Sequence, residues 1–149
     1  MNSSMISLEA IENNIQTTTK GYAFLSYPSQ DKDFIGRLKD ELRKNGYAYW
    51  DYKESDRDYH GALYRELEKK IENAAAFFTI VSDAWRDSEW IANEFFYAKE
   101  VQIPIFVIVA KQLIRPIPLP LKSQTHIDMS SNFDESCKIL REELRKKGL

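Results

Sequence analysis

The sequence predicts an α/β fold, a flavodoxin-like doubly wound parallel sheet of five strands with helices on both faces. Three observations carry that expectation. Short apolar runs alternate with stretches whose apolar residues recur at helical spacing, the pattern of successive βαβ units with right-handed crossovers. One of the runs, "AAFFTIVS", lacks inside-outside alternation, as strands covered on both faces do. A chain of 149 residues buries roughly two thirds of its unfolded surface, enough for one domain with a genuine core.

The first residues, 1–20, are polar apart from Leu8, Ile11 and Ile15 and read as a flank; the domain is expected over 21–149. "YAFLS" is the first strand. In "DKDFIGRLKDELRKNG", Phe34, Ile35, Leu38 and Leu42 fall on one helical face and Gly46 is the stop signal. "YAYW" is a second strand and "DYKESDRDYHG" an eleven-residue polar connection. "ALYRELEKKIENA" follows as a helix, with Leu63, Leu67 and Ile71 on one side. "AAFFTIVS" is the third strand, "DAWRD" a link, and "DSEWIANEFFYAKE" leads into the next helix. "IPIFVIV" is the fourth strand, and the prolines of "KQLIRPIPLPLKS" preclude a long helix there. "THIDM" is a short fifth strand and "FDESCKILREELRKK" the closing helix.

Composition narrows the function. The formal net charge is −2 with both signs interspersed, which gives no electrostatic footprint for nucleic acid and no polybasic patch for lipid. No apolar run is long enough to span a bilayer and no signal peptide is recognisable. Cys137 is the only cysteine, and His60 and His126 are far apart in sequence. No disulfide or zinc site is therefore expected, and a reducing cytoplasm fits best.

In a doubly wound sheet, ligands sit beyond the C-terminal ends of the strands. The informative loops are thus "SYPSQD", "DYKESDRDYHG", "SDAWRDSEW" and "AKQLIRP". An FMN phosphate loop is excluded because "SYPSQDKD" has no glycine and carries two aspartates. A phosphoryl-accepting receiver would need a lysine after the fifth strand, where the chain reads "HIDMSS". Neither a P-loop nor a dinucleotide GxGxxG motif occurs.

One residue breaks the helical pattern. On a wheel of about 100° per residue, Tyr97, Trp90, Val101, Glu94, Ala98, Ile91 and Phe95 share an arc of roughly 160°. Glu94 lies inside that apolar stripe although solvent-facing positions were plentiful. By themselves the residues leave two readings open: a functional carboxylate, or a helix glutamate that reaches out to pair with Arg86 or Lys99.

Nearly the whole span from Tyr22 to Lys147 resembles a TIR domain, the Toll/interleukin-receptor family, in a style nearer to its bacterial members. "YAFLSYPSQD" is similar to the family's first box. "AYWDYKESDRDYHGALYRELEKKIENA" resembles the second strand, the BB loop and the following helix, without the Pro-Gly pair many relatives carry. "FFTIVSDAWRDSEWIANEF" resembles the third strand running into a Ser-x-Trp-x-x-x-Glu motif, here Ser88, Trp90 and Glu94. The resemblance implies an NAD+ nucleosidase with Glu94 as the catalytic residue. NAD+ is then the substrate, with no cofactor and no metal, and the products are nicotinamide and ADP-ribose or a cyclic isomer. It also implies a role in immune or antiviral defence signalling, activated by self-association into an oligomer or filament, with a sensor domain fused or separate.

The chemistry is coherent. Departing nicotinamide leaves an oxocarbenium-like ribosyl cation that a preorganised carboxylate stabilises, and a neutral pyridine leaves without a general acid. Trp90, Trp50, Tyr27 and Tyr52 are candidates to stack the rings. Ser26 either lines the pocket or satisfies the turn, and the same choice holds for Tyr27. Asp51 and Arg57 are candidates for ribose or phosphate contact within a charge run, Asp51 to Asp58, that otherwise reads as a solvated loop. The other class of function is a non-catalytic TIR–TIR interaction module, a signalling adaptor working through the BB loop.

Overall fold

The computed structural model describes residues 21–51 and 61–149, with the backbone alone at 61–63. The expected flank at 1–20, and Tyr52, Asp56, Arg57, Asp58 and His60 of the BB loop, lie outside the described residues. Five parallel strands, β1 (Tyr22–Ser26), β2 (Ala48–Asp51), β3 (Ala76–Val81), β4 (Ile105–Val109) and β5 (Thr125–Asp128), form one sheet in the order β2-β1-β3-β4-β5. Helices α1 (Lys32–Lys44), α2 (Gly61–Glu72), α3 (Glu89–Glu100) and α4 (Phe133–Lys146) connect and cover them. The predicted elements all appear, with strand ends displaced by one or two residues.

The unbroken apolar runs are explained by the two central strands, β3 and β4, in which every residue is buried. Alternate side chains feed two cores, one on each face of the sheet. On one face Leu25, Phe78, Ile80, Phe106 and Ile108 meet Ile35 and Leu38 of α1 and Cys137, Leu140 and Leu144 of α4. On the other, Phe24, Phe77, Val81 and Val107 meet Leu67 and Ile71 of α2 and Ile91, Phe95 and Ala98 of α3. The helices that flank one face end alike. Gly46 and Gly148 take left-handed φ values of 76° and 77°, and the next residues, Tyr47 and Leu149, donate back to Leu42 and Leu144 at 2.9 Å. Both are Schellman stops, where a Cβ would be strained.

The strand order reverses beside β1, with β2 on one side and β3 on the other. The loops that follow β1 and β3 therefore lie at the switch point of the sheet, where such folds bind ligands. Among the described residues no helix is long and apolar enough to cross a membrane.

Candidate functional site

Two elements converge on the switch point. The first, β1, ends there with Ser26. The second comes from β3, which runs into a 3-10 turn, Asp83–Asp87, and then into α3. Ser82 caps the turn by accepting from Ala84 N–H, and Ser88 caps α3 by accepting from Ile91 N–H at 3.2 Å. The first residue of the Ser-x-Trp-x-x-x-Glu motif is therefore a helix cap, which fixes where α3 begins and hence the direction in which Trp90 and Glu94 project.

Glu94 is 4% exposed and Ser26 1% exposed. The Ser26 hydroxyl donates to Glu94 Oε1 at 2.7 Å across 68 residues of sequence. That bond offsets part of the cost of burying a carboxylate and fixes its position. Arg86, one of the partners a surface-seeking glutamate was expected to find, instead donates to the Pro116 carbonyl at 2.6 Å.

The remaining candidates divide between the faces. Trp90 packs against the α2/α3 core, on the side of Glu94. Trp50 lies on that face too, its ring centroid 5.1 Å from Phe24 and the Lys70 ammonium 5.5 Å above it. Tyr27 points to the opposite, α1 face. Its hydroxyl donates to Asp51 Oδ2 at 2.6 Å, and Lys39 Nζ reaches the same oxygen at 2.8 Å. The structure thus brings Ser26, Trp50, Trp90 and Glu94 to one face and sets Tyr27 and Asp51 on the other, while Tyr52 and Arg57 lie outside the described residues. Among the described residues no cluster of three His, Cys, Asp or Glu is placed to hold a metal.

Two features were not read from the sequence. Trp85, in the 3-10 turn, is buried and donates from Nε1 to Thr79 Oγ1 at 2.9 Å, edge-on to Phe95. It closes the core beneath α3. Asp31, just before α1, has a wholly buried side chain. It accepts from the Ser82 hydroxyl at 2.6 Å, and Lys111 Nζ stands 3.2 Å from its other oxygen in an ion pair rather than an aligned hydrogen bond. The signal present in the sequence is the first of the two aspartates in "SYPSQDKD", which by itself argues only against a phosphate.

The TIR domain family profile matches residues 23–141. The chain belongs to the TIR domain family. Members of this family act in innate immune signalling, as NAD+-cleaving enzymes or as signalling scaffolds. No curated protein sequence matches this TIR domain. Its fold is similar to the TIR domain of the Toll-related receptor TRR-2 from Hydra magnipapillata, at 16% identity and a TM-score of 0.68, over 85% of this chain and 98% of that one. It is also similar to the TIR domains of the activated Roq1 resistosome, at 15% identity and 0.60 over 85% and 98%. The RPS4–RRS1 TIR heterodimer matches at 13% identity and 0.61 over 85% and 96%.

Proposed function

We propose that this TIR domain cleaves the nicotinamide–ribose bond of NAD+, with Glu94 as the catalytic residue and nicotinamide and ADP-ribose, or a cyclic isomer, as products. The observation that supports it is the buried carboxylate held by Ser26 at the switch point of the sheet. A carboxylate held in place before the reaction stabilises the ribosyl cation without reorganising as the bond breaks. The glycosidic bond weakens because nicotinamide leaves as a neutral ring, so no second carboxylate is needed to protonate it. Water, or a nitrogen of the substrate's own adenine, then adds to the anomeric carbon. Ser26 acts as a positioning residue, its hydroxyl already engaged with Glu94. Trp90 forms the wall next to the carboxylate, and Trp50 packs on the same face of the sheet against Phe24.

The enzyme works in the cytoplasm and self-associates through TIR–TIR contacts. The solved RPS4–RRS1 heterodimer and the Roq1 resistosome support that mode of assembly for TIR domains in general. The test is direct: the concentrated protein is incubated with NAD+ and nicotinamide release is followed by chromatography, with and without a crowding agent, beside Glu94→Gln. Nicotinamide released by the parent and not by the variant is the expected outcome. Absence of release at every concentration would leave the interaction module as the function.

A further inference from the structure

The 3-10 turn Asp83–Asp87 is the only covalent path from β3 to α3, and polar bonds hold it along its length. Ser82, its cap, donates to Asp31. The Asp83 carboxylate accepts from Ile114 N–H at 3.1 Å, Trp85 donates to Thr79, and Arg86 donates to the Pro116 carbonyl. The Asp83 and Arg86 bonds are exposed to solvent, and the Trp85 bond joins two neutral groups. The Asp31 bond differs. Its carboxylate is wholly buried, a cost that a charge nearby offsets, and the cation supplying that charge, Lys111, leaves 59% of its own side chain in solvent.

We propose that Lys111, Asp31 and Ser82 form a charge-dependent brace that positions the Glu94 helix, with Lys111 as its solvent-accessible control point. The proposal rests on the reading of Glu94 as the catalytic residue. The end of β1 and the loop after it touch the β3–α3 segment at two places on opposite faces of the sheet: Ser26 meets Glu94, and Asp31 meets Ser82. The first contact aims the carboxylate. The second fixes the start of the segment that carries it. Without the ammonium charge the burial of the carboxylate is no longer compensated, and the side chain turns towards water, out of reach of Ser82. Ser82 then loses the partner that orients it as the cap of the turn. Neutralising Lys111 by substitution, or by acylation of its exposed amine, therefore loosens the turn and α3 from a point on the other face of the sheet.

The experiment compares the parent chain with Lys111→Gln and Lys111→Arg, and with Asp31→Asn as a second way of removing the charge pair. Amide hydrogen exchange is measured over residues 82–95, with the β4 amides reporting global opening. Steady-state NAD+ cleavage is followed on the same samples. In Lys111→Gln, exchange over 82–95 rises about tenfold or more relative to β4. The kcat falls between about tenfold and a hundredfold, the loss expected from a small misplacement of a reacting group, while KM changes less than about twofold. Lys111→Arg restores both. Unchanged exchange over 82–95 in both Lys111→Gln and Asp31→Asn overturns the brace, whatever the activity. Faster exchange with an unchanged kcat overturns its positioning role. If the parent itself releases no nicotinamide, the catalytic reading fails, and the exchange data still decide whether the brace exists.

Discussion

Replacing Glu94 by glutamine separates charge from shape at the buried hydrogen bond between β1 and α3. The glutamine keeps an amide oxygen where Oε1 accepts from Ser26 at 2.7 Å, so the serine remains satisfied. What disappears is the charge assistance, which lowers the bond from about 1.5–3 to about 0.5–1.5 kcal/mol, a loss near 1 kcal/mol. Against that stands the relief of holding an ion at 4% exposure, a penalty of several kcal/mol before compensation. The variant should therefore be as stable as the parent or up to about 3 kcal/mol more stable, a rise in Tm of roughly 3–5 °C per kcal/mol for a domain of this size. Ser26→Ala works the other way, stripping a buried carboxylate of a donor at a cost of about 2–3 kcal/mol. In the glutamine background the same serine change should cost only about 1 kcal/mol, a coupling of about 1–2 kcal/mol. Urea melts of the parent, both single variants and the double variant give the cycle. Nicotinamide release is measured in parallel and falls about a hundredfold or more in Glu94→Gln. A glutamine variant that is destabilised by more than about 2 kcal/mol, or that cleaves NAD+ at the parental rate, would show that Glu94 serves the fold and not the reaction.

Trp50→Ala should lower the urea midpoint, because its ring is stacked between Phe24 and Lys70; Trp50→Phe should recover most of the loss. Trp85→Phe removes the donor to the buried Thr79 hydroxyl and should cost about 1–3 kcal/mol, with Thr79→Val in the same chain recovering part of it. Burial, aided by the Glu41 carboxylate, pushes the Cys137 thiol up from its ordinary 9.0 to about 11. The native state thus holds that proton more tightly than the unfolded one, so the stabilisation is complete below pH 9 and about 2 kcal/mol is lost as pH climbs towards 11. Urea melts from pH 8 to 11 on the parent and Cys137→Val check this, the valine chain showing the flatter profile. Specific activity should rise steeply with protein concentration; a flat rate across a dilution series, with light scattering reporting only monomer, would remove self-association from the mechanism.

The layered fold was legible because its signals are redundant. The apolar runs of β3 and β4 require cover on both faces, and the helical stripes of α1, α2 and α4 supply it. Gly46 stops α1 through its backbone conformation alone, so a single letter sufficed. The ends of β2 and β5 were less legible, since β2 is half-buried throughout and β5 is mostly exposed or half-buried, and no turn residue marks where pairing ends. Glu94 stood out for the opposite reason, as a carboxylate that contradicts its own helix. Asp31 gave no such contradiction. Its burial depends on Ser82 and Lys111, 51 and 80 residues further along the chain, and nothing local announces that meeting.

Ser26 and Tyr27 illustrate the limit of grouping site residues by adjacency. A sequence motif presents them as a pair, and the end of β2 likewise presents Trp50 beside Asp51. Consecutive residues of a strand, however, point to opposite faces of its sheet. The parallel register pairs Phe24 with Trp50 and Leu25 with Asp51, so each neighbouring pair must split. Ser26 and Trp50 go to the α2/α3 face with Glu94, whereas Tyr27 and Asp51 go to α1 and meet Lys39. A strand end with one hydroxyl facing each way therefore anchors a helix on either side: Ser26 locates α3 through Glu94, and Tyr27 locates α1 through the Asp51–Lys39 ion pair. The two anchors share one backbone, which is why a change on the α1 face has a physical route to the carboxylate on the other.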